Sequence, residues 1–193
     1  MISLIYQILL FLSALLTFSL SIFFWKKRKL VASNYFSIML LTISIWSFFA
    51  GMEIIVQSLE MKMIMIKLQY IGISFFPAFY MISILQYVTS GRLPTKPLII
   101  IFFIIPFLTL IFMLTNEYHE LVYQNIFLNK ISDSVAVVGK SRGLWYFVNV
   151  AFDYLAVLIS TIFLLHFIYN SRILYQLQAF SLLIGSFLPW IPN

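Results

Sequence analysis

The chain has 193 residues, 63% hydrophobic and only 9% charged, with a mean hydropathy of +1.03. Ordinary soluble domains carry about a quarter charged residues, so a soluble fold has no place for this much apolar surface, whereas lipid accepts it. Cysteine is absent, which excludes a disulfide framework, a thiolate metal site and a cysteine nucleophile. The formal net charge of +6 does not point to nucleic acid, because the basic residues sit in short loops between apolar runs, where they set topology.

A spanning helix needs about 20 mainly apolar residues. Six segments qualify, predicting an all-α integral membrane protein, a polytopic helical bundle. The first runs from about Ile2 to Trp25 and precedes Lys26, Lys27, Arg28 and Lys29. Positive charge following the apolar run, with no small-residue cleavage site, marks a retained anchor and not a signal peptide. The second runs from about Val31 to Val56, the third from about Ile64 to Thr89, and the fourth from about Pro97 to Leu114. The fifth runs from about Leu144 to Tyr169 and the sixth from about Ile173 to Ile191. The longest connection, about Thr115 to Gly143, holds β-branched residues beside turn formers over Asp133–Gly139. It reads either as a short strand or hairpin or as an irregular cap on the bundle.

Loops after the first, third and fifth helices carry Lys26, Lys27, Arg28, Lys29, Arg92, Lys96 and Arg172, and no acid. The other side carries Lys62, Lys67, Lys130, Lys140 and Arg142 together with Glu60, Glu117, Glu120 and Asp133. The short basic loops are therefore expected inside the cell, with the N-terminus outside and the protein in the plasma membrane. Six crossings then place the end of the chain outside, and its abrupt finish at Pro189-Trp190-Ile191-Pro192-Asn193 suggests a seventh helix beyond it.

Polar groups inside a membrane are costly, so each is a functional candidate. Asp153 lies roughly 13 Å below the start of the fifth helix at ~1.5 Å per residue. Tyr146, Asn149 and Asp153 share one face at i, i+3 and i+7, and Ser160 continues it. The stripe is either a ligand or proton site or an interhelical hydrogen-bond cluster, and burial disfavours the charged form of Asp153. In the second helix Trp46, Glu53 and Gln57 share a face. Glu53 either pairs with Lys67 or both snorkel to the interface. Pro77, Pro106 and Pro189 each remove a backbone hydrogen bond and are candidate kinks, shaping a cavity or tuning packing. His119, with Glu117 and Glu120, either ligates a cation or anchors the loop; one histidine and two carboxylates do not establish a metal site. His166 is placed at the inner interface. No nucleotide-binding Gly-rich loop, His-Glu-x-x-His or Gly-x-Ser-x-Gly is present. No catalytic residue, metal or cofactor is assigned.

The segment Lys67-Leu68-Gln69-Tyr70-Ile71-Gly72, then Pro77 and Gln86-Tyr87, resembles the third helix of the seven-helix sensor region at the N-terminus of many membrane histidine kinases. The pattern continues through Trp46 and Glu53, Ile105-Pro106, Leu114-Thr115-Asn116-Glu117-Tyr118-His119, Arg142-Gly143-Leu144-Trp145-Tyr146-Phe147, Tyr175-Gln176-Leu177-Gln178 and Pro189-Trp190-Ile191-Pro192-Asn193. The resemblance spans nearly the whole chain in order, so residues 1–193 read as a single transmembrane sensor domain. It implies a sensory input module followed by a kinase core, commonly through a PAS domain, and a homodimer acting through a response regulator. Asp153 departs from the tyrosine or small residue of that stretch in the family, so its role rests on the cost of burial alone. Glu53, Tyr70, His119, Tyr146, Asn149 and Asp153 are the candidate stimulus-sensing residues. A small transporter or channel using Asp153, and a bundle that only anchors a partner, remain the alternatives. The membrane is in every case the first partner.

Overall fold

The computed structural model describes residues 2–27, 29–92, 94–132 and 135–170. The expected sixth helix over 173–191, with Pro189, and the residues Arg28, Asp133 and Arg172 lie outside the described residues. The elements are α1 (Ile2–Lys26), α2 (Ser33–Ile55), α3 (Leu59–Val88), α4 (Lys96–Leu114), a single turn α5 (Asn116–His119), strands β1 (Tyr123–Ser132) and β2 (Val135–Arg142), and α6 (Leu144–Asn170). Among the described residues, α1, α2, α3, α4 and α6 are long and apolar enough to cross a membrane.

The third helix begins at Leu59, five residues before the predicted start, because Ser58 caps it: its side chain accepts a hydrogen bond from the Met61 amide. Gln57 falls beyond the end of α2 and so does not share a helical face with Trp46 and Glu53. Both α3 and α4 run unbroken through their buried prolines, Pro77 and Pro106. Helix α3 is central, packing on α2, α4 and α6. Half of its most apolar window is buried inside the bundle, against 11% for α1, which leaves most of α1 to lipid.

Since lipid is as apolar as leucine, helices in a membrane associate through close backbone approach and polar bonds. The α1–α2 contact shows both. Ser21 donates to the Ser37 carbonyl (2.8 Å) while Ser37 donates to the Ser21 carbonyl (2.7 Å). Ser44 donates to the Ala14 carbonyl and Ser33 to the Phe24 carbonyl. Ser33, Ser37 and Ser44 lie on one side of α2 and bind α1 as a ladder. Ser21→Ala and Ser37→Ala each delete one side-chain bond to a carbonyl that the other variant retains, and each is expected to lower stability in detergent by about 0.6 kcal/mol, the average for membrane hydrogen bonds. Wild-type stability in both variants would mean that the reciprocal pair does not form.

Two apolar clusters mark the ends of the bundle. Met39, Leu40, Tyr80, Ile84 and Leu164 fill the end bearing the basic loops. Ile66, Tyr70, Met113, Val122, Tyr123 and Val138 fill the other, beneath the antiparallel β1–β2 pair. The long connection is thus a hairpin with one strand of ten residues and one of eight. Register slips between Gln124 and Phe127, where Asn125 takes a left-handed φ of 48°. Asn125 donates to the Ser141 hydroxyl and Ser141 to the Gln124 carbonyl, which ties the bulge to the opposite strand.

Candidate functional site

The hairpin end gathers nearly all the polar chemistry of the bundle. Its first component arises where α2 stops at Ile55, leaving its last carbonyls without helical donors. Lys62, one turn into α3 and almost fully buried, donates its ammonium to the Glu53 carbonyl at 2.6 Å. A cation at a helix C-terminus is favoured by the helix dipole. The Glu53 carboxylate accepts from buried Gln69 Nε2 at 2.6 Å. The Glu53–Lys67 pair, one of the two readings of these side chains, does not form. Lys67 lies two residues before Gln69 and reaches Glu117 of α5 instead, at 2.6 Å. Glu117 is 62% exposed, so this bridge contributes at most about 1 kcal/mol.

A second component is the corner that seats the hairpin. Asn116 is 1% exposed; its Oδ1 accepts from the Val122 and Tyr123 amides (2.9 and 3.1 Å) and its Nδ2 donates to the Tyr123 carbonyl (2.8 Å). His119 Nδ1 accepts from the Leu121 amide at 3.1 Å, which assigns the ring proton to Nε2. Nε2 then donates to Thr115 Oγ1 at 3.0 Å, and Thr115 donates to the Ile111 carbonyl. In this tautomer both ring nitrogens are engaged within the corner. Among the described residues no three His, Asp or Glu side chains are grouped so as to hold a metal ion.

Tyrosines form the third component. Tyr70 of α3 donates to the Tyr123 hydroxyl of β1 at 2.8 Å, and both are buried. The Tyr123 ring meets that of Tyr146 from α6 with centroids 6.0 Å apart. Two hairpin cations cover the aromatic group: Lys140 stands 3.9 Å from the Tyr123 ring centre and Arg142 5.1 Å from that of Tyr146. Burial pushes the Tyr123 phenol up to about 12; the Tyr70 hydrogen bond opposes this, and the Tyr146 and Glu53 charges reinforce it. The Lys140 ammonium is lowered by burial, partly offset by Glu53.

The fourth component is a directed chain of side-chain hydrogen bonds. Trp145 Nε1 donates to Thr109 Oγ1, Thr109 donates to Asn149 Oδ1, and Asn149 Nδ2 donates to Asp153 Oδ2, each at 2.9 Å. Among the described residues, Asp153 Oδ1 is buried without a hydrogen-bond partner. Ser160 turns back to the Ala156 carbonyl of its own helix and does not extend the stripe. His166 lies near the other end of α6 beside Asn170.

The structure therefore places Glu53, Tyr70, Tyr146, Asn149 and Asp153 at one end of the bundle, with Asp153 and Tyr146 both within electrostatic reach of the Tyr70 hydroxyl. His119 belongs to the adjoining corner, where the Phe112 ring meets both its imidazole and the Trp145 indole. Thr109, Trp145, Gln69, Lys62, Asn116, Tyr123 and Lys140 were not singled out from the sequence as site residues. Thr109 had a usable signal, as the one hydroxyl side chain within apolar α4.

The family model described as the N-terminal 7TM region of histidine kinase matches residues 9–193. No curated protein and no solved structure matches the chain. With nearly the whole chain covered and the apolar helices in place, this protein belongs to the N-terminal seven-transmembrane-helix region of membrane histidine kinases.

Proposed function

We propose that the chain is the sensory input module of a signal-transducing histidine kinase, and that the stimulus acts at the hairpin end. The family supplies the link to a kinase output and no catalytic role for this region. One observation carries the finer reading: three side-chain bonds of this end each join two different elements. Glu53–Gln69 joins α2 to α3, Tyr70–Tyr123 joins α3 to β1, and Thr109–Asn149 joins α4 to α6. A stimulus that favours one arrangement of these bonds must shift helices against one another, and a shift at this end reaches the other as rigid-body motion. The concentration of basic residues at the opposite end favours a hairpin facing outward and an outward N-terminus in the plasma membrane. Homodimerisation and transfer to a response regulator follow from the kinase assignment.

The test is autophosphorylation of the full-length kinase in lipid nanodiscs. Glu53→Gln, Tyr70→Phe and Asn149→Leu each unlink one pair of elements. Each is expected to move basal autophosphorylation severalfold, up or down, while the protein remains monodisperse. If all three variants keep the wild-type rate, the hairpin end is not the input site.

A further inference from the structure

We propose that Asp153 is a proton-binding site, taking up and releasing a single proton on Oδ1 that arrives from the hairpin end. The proposal rests on the sensory reading only for its consequence; the site itself stands on geometry.

The argument begins with the direction of the hydrogen bonds. Trp145, Thr109 and Asn149 each donate toward Asp153. Thr109 Oγ1 accepts from Trp145, Asn149 Oδ1 accepts from Thr109, and Asp153 accepts one hydrogen bond, from Asn149 Nδ2 on Oδ2. Its Oδ1 is buried and, among the described residues, unpartnered. Buried polar atoms are nearly always hydrogen-bonded, and an ionised carboxylate in such surroundings needs a positive partner. The chain of donors ends on a group built to receive one more positive charge.

Chemistry then selects which charge. A hard metal cation takes about six oxygen ligands, and among the described residues Asp153 belongs to no group of three His, Asp or Glu side chains that could hold one. An ammonium presents three donors, where Asp153 offers one free oxygen. A proton needs one lone pair. Uptake converts the carboxylate to a carboxylic acid and turns Oδ1 from acceptor to donor; release restores the charge to Asp153 and the proton to solvent.

A path is also present. The groups around Asp153 are Asn149 and Tyr146 on its own helix, Thr109 of α4 behind Asn149, and Tyr70 of α3 within electrostatic reach. Tyr70 bonds to Tyr123, which lies under Lys140 of the hairpin and feels the Glu53 charge. Hydroxyls both donate and accept, and the Tyr70–Tyr123 pair, hydrogen-bonded to each other with Tyr70 in electrostatic reach of Asp153, is the hairpin-side relay of the proposed route. Arg142, over Tyr146, and Lys62, on the Glu53 carbonyl, complete the charged surroundings of that route. Proton uptake weakens the charge-assisted bond from Asn149, and through Thr109 it loosens α6 from α4.

Asp133 and Asp153 are the two aspartates of the chain, which permits a direct measurement. The chain is labelled with carboxyl-[13C]aspartate, placed in lipid nanodiscs, and compared by infrared difference spectroscopy between acidic and alkaline buffers. A carboxylic-acid C=O band carrying the isotope shift is expected to titrate as one proton. It should persist in Asp133→Asn and vanish in Asp153→Asn, and its midpoint should shift in Asn149→Ala. Exchanging sodium for potassium or methylammonium at constant pH should leave it in place. The proposal is overturned if the wild-type chain shows no such titrating band at any pH where its helicity persists, or if sodium or methylammonium displaces the band. Neither reading needs the Asp153 variant to fold. A titrating band whose kinase output fails to follow pH sinks the sensory reading alone, and an absent band with responsive kinase variants sinks the proton site alone.

Discussion

Gly72→Ala is expected to unseat α3 from α2 and to abolish a stable, monodisperse protein in detergent. A methyl group at this position would lie 2.8 Å from Trp46 Cβ and 2.9 Å from the Trp46 amide nitrogen, and would collide with the Thr42 carbonyl oxygen. Two of these three obstacles are backbone, so no rotamer change relieves them. Overpacking a buried site typically costs about 1–3 kcal/mol, and a clash with backbone belongs at the upper end of that range or beyond. The helices must move apart, and Gln69 lies one turn away on the same helix. The Glu53–Gln69 bond at 2.6 Å is therefore lost along with the packing. Gly51→Ala is the internal control. The three atoms nearest to a methyl there all belong to the half-buried Phe11 ring, the closest at 3.0 Å, and a side chain can give way where backbone cannot. Thermal denaturation in one detergent should rank Gly72→Ala well below Gly51→Ala. Equal midpoints for the two variants would show that α2 and α3 do not approach as closely as Gly72 permits.

The contrast between these glycines shows what was legible in the sequence. The apolar runs were plain because lipid requires about 20 unbroken apolar residues for each crossing, a constraint written locally in the chain. The ends of α1, α2, α4 and α6 accordingly fall within two residues of their sequence-based positions. Which residues meet is a different matter. Gly72 stood out only as part of a resembling motif, because nothing local announces that Thr42 and Trp46 cross it. Lys67 has Glu53 on a neighbouring helix, yet its partner is Glu117, fifty positions away and brought near by a corner. At Asp133–Gly139 the β-branched residues left a strand or hairpin as one of two readings, beside an irregular cap. Strand β1 was hidden, because Gln124, Asn125 and Asn129 give it no alternating pattern and a bulge interrupts its register. The Asn149–Asp153 pairing follows helical periodicity and was readable; the Thr109 hydroxyl that orients it comes from another helix. The polar residues on the face of α6 were thus discoverable, whereas their partners on other elements, Thr109, Gln69 and Tyr123 among them, and the bonds that join them were not.

The corner motif carries the second large effect. Asn116→Ala is expected to release the hairpin from the bundle while leaving the α1–α2 ladder intact. One side chain satisfies three buried backbone groups: the Val122 and Tyr123 amides and the Tyr123 carbonyl. Leaving each unpaired costs about 1–3 kcal/mol, so the deletion removes about 3 kcal/mol or more if the hairpin stays in place. Detachment is cheaper, since water then reaches those groups. Detachment also withdraws Tyr123 from Tyr70 and lifts Lys140 and Arg142 off the aromatic cluster. Hydrogen–deuterium exchange in nanodiscs should rise across β1 and β2 and remain low in α2. His119→Ala deprives one amide, that of Leu121, so its exchange effect should be smaller and confined to the corner. If the two variants exchange alike, Asn116 is not what holds the hairpin, and the backbone bonds Gly143 N to Val122 O and Trp145 N to Leu121 O suffice to seat it. If they differ as expected, the stability of the hairpin is set by one asparagine. Full-length kinase carrying Asn116→Ala then separates a hairpin that transmits the stimulus from one that only covers the helices, since loss of the hairpin changes autophosphorylation in the first case alone.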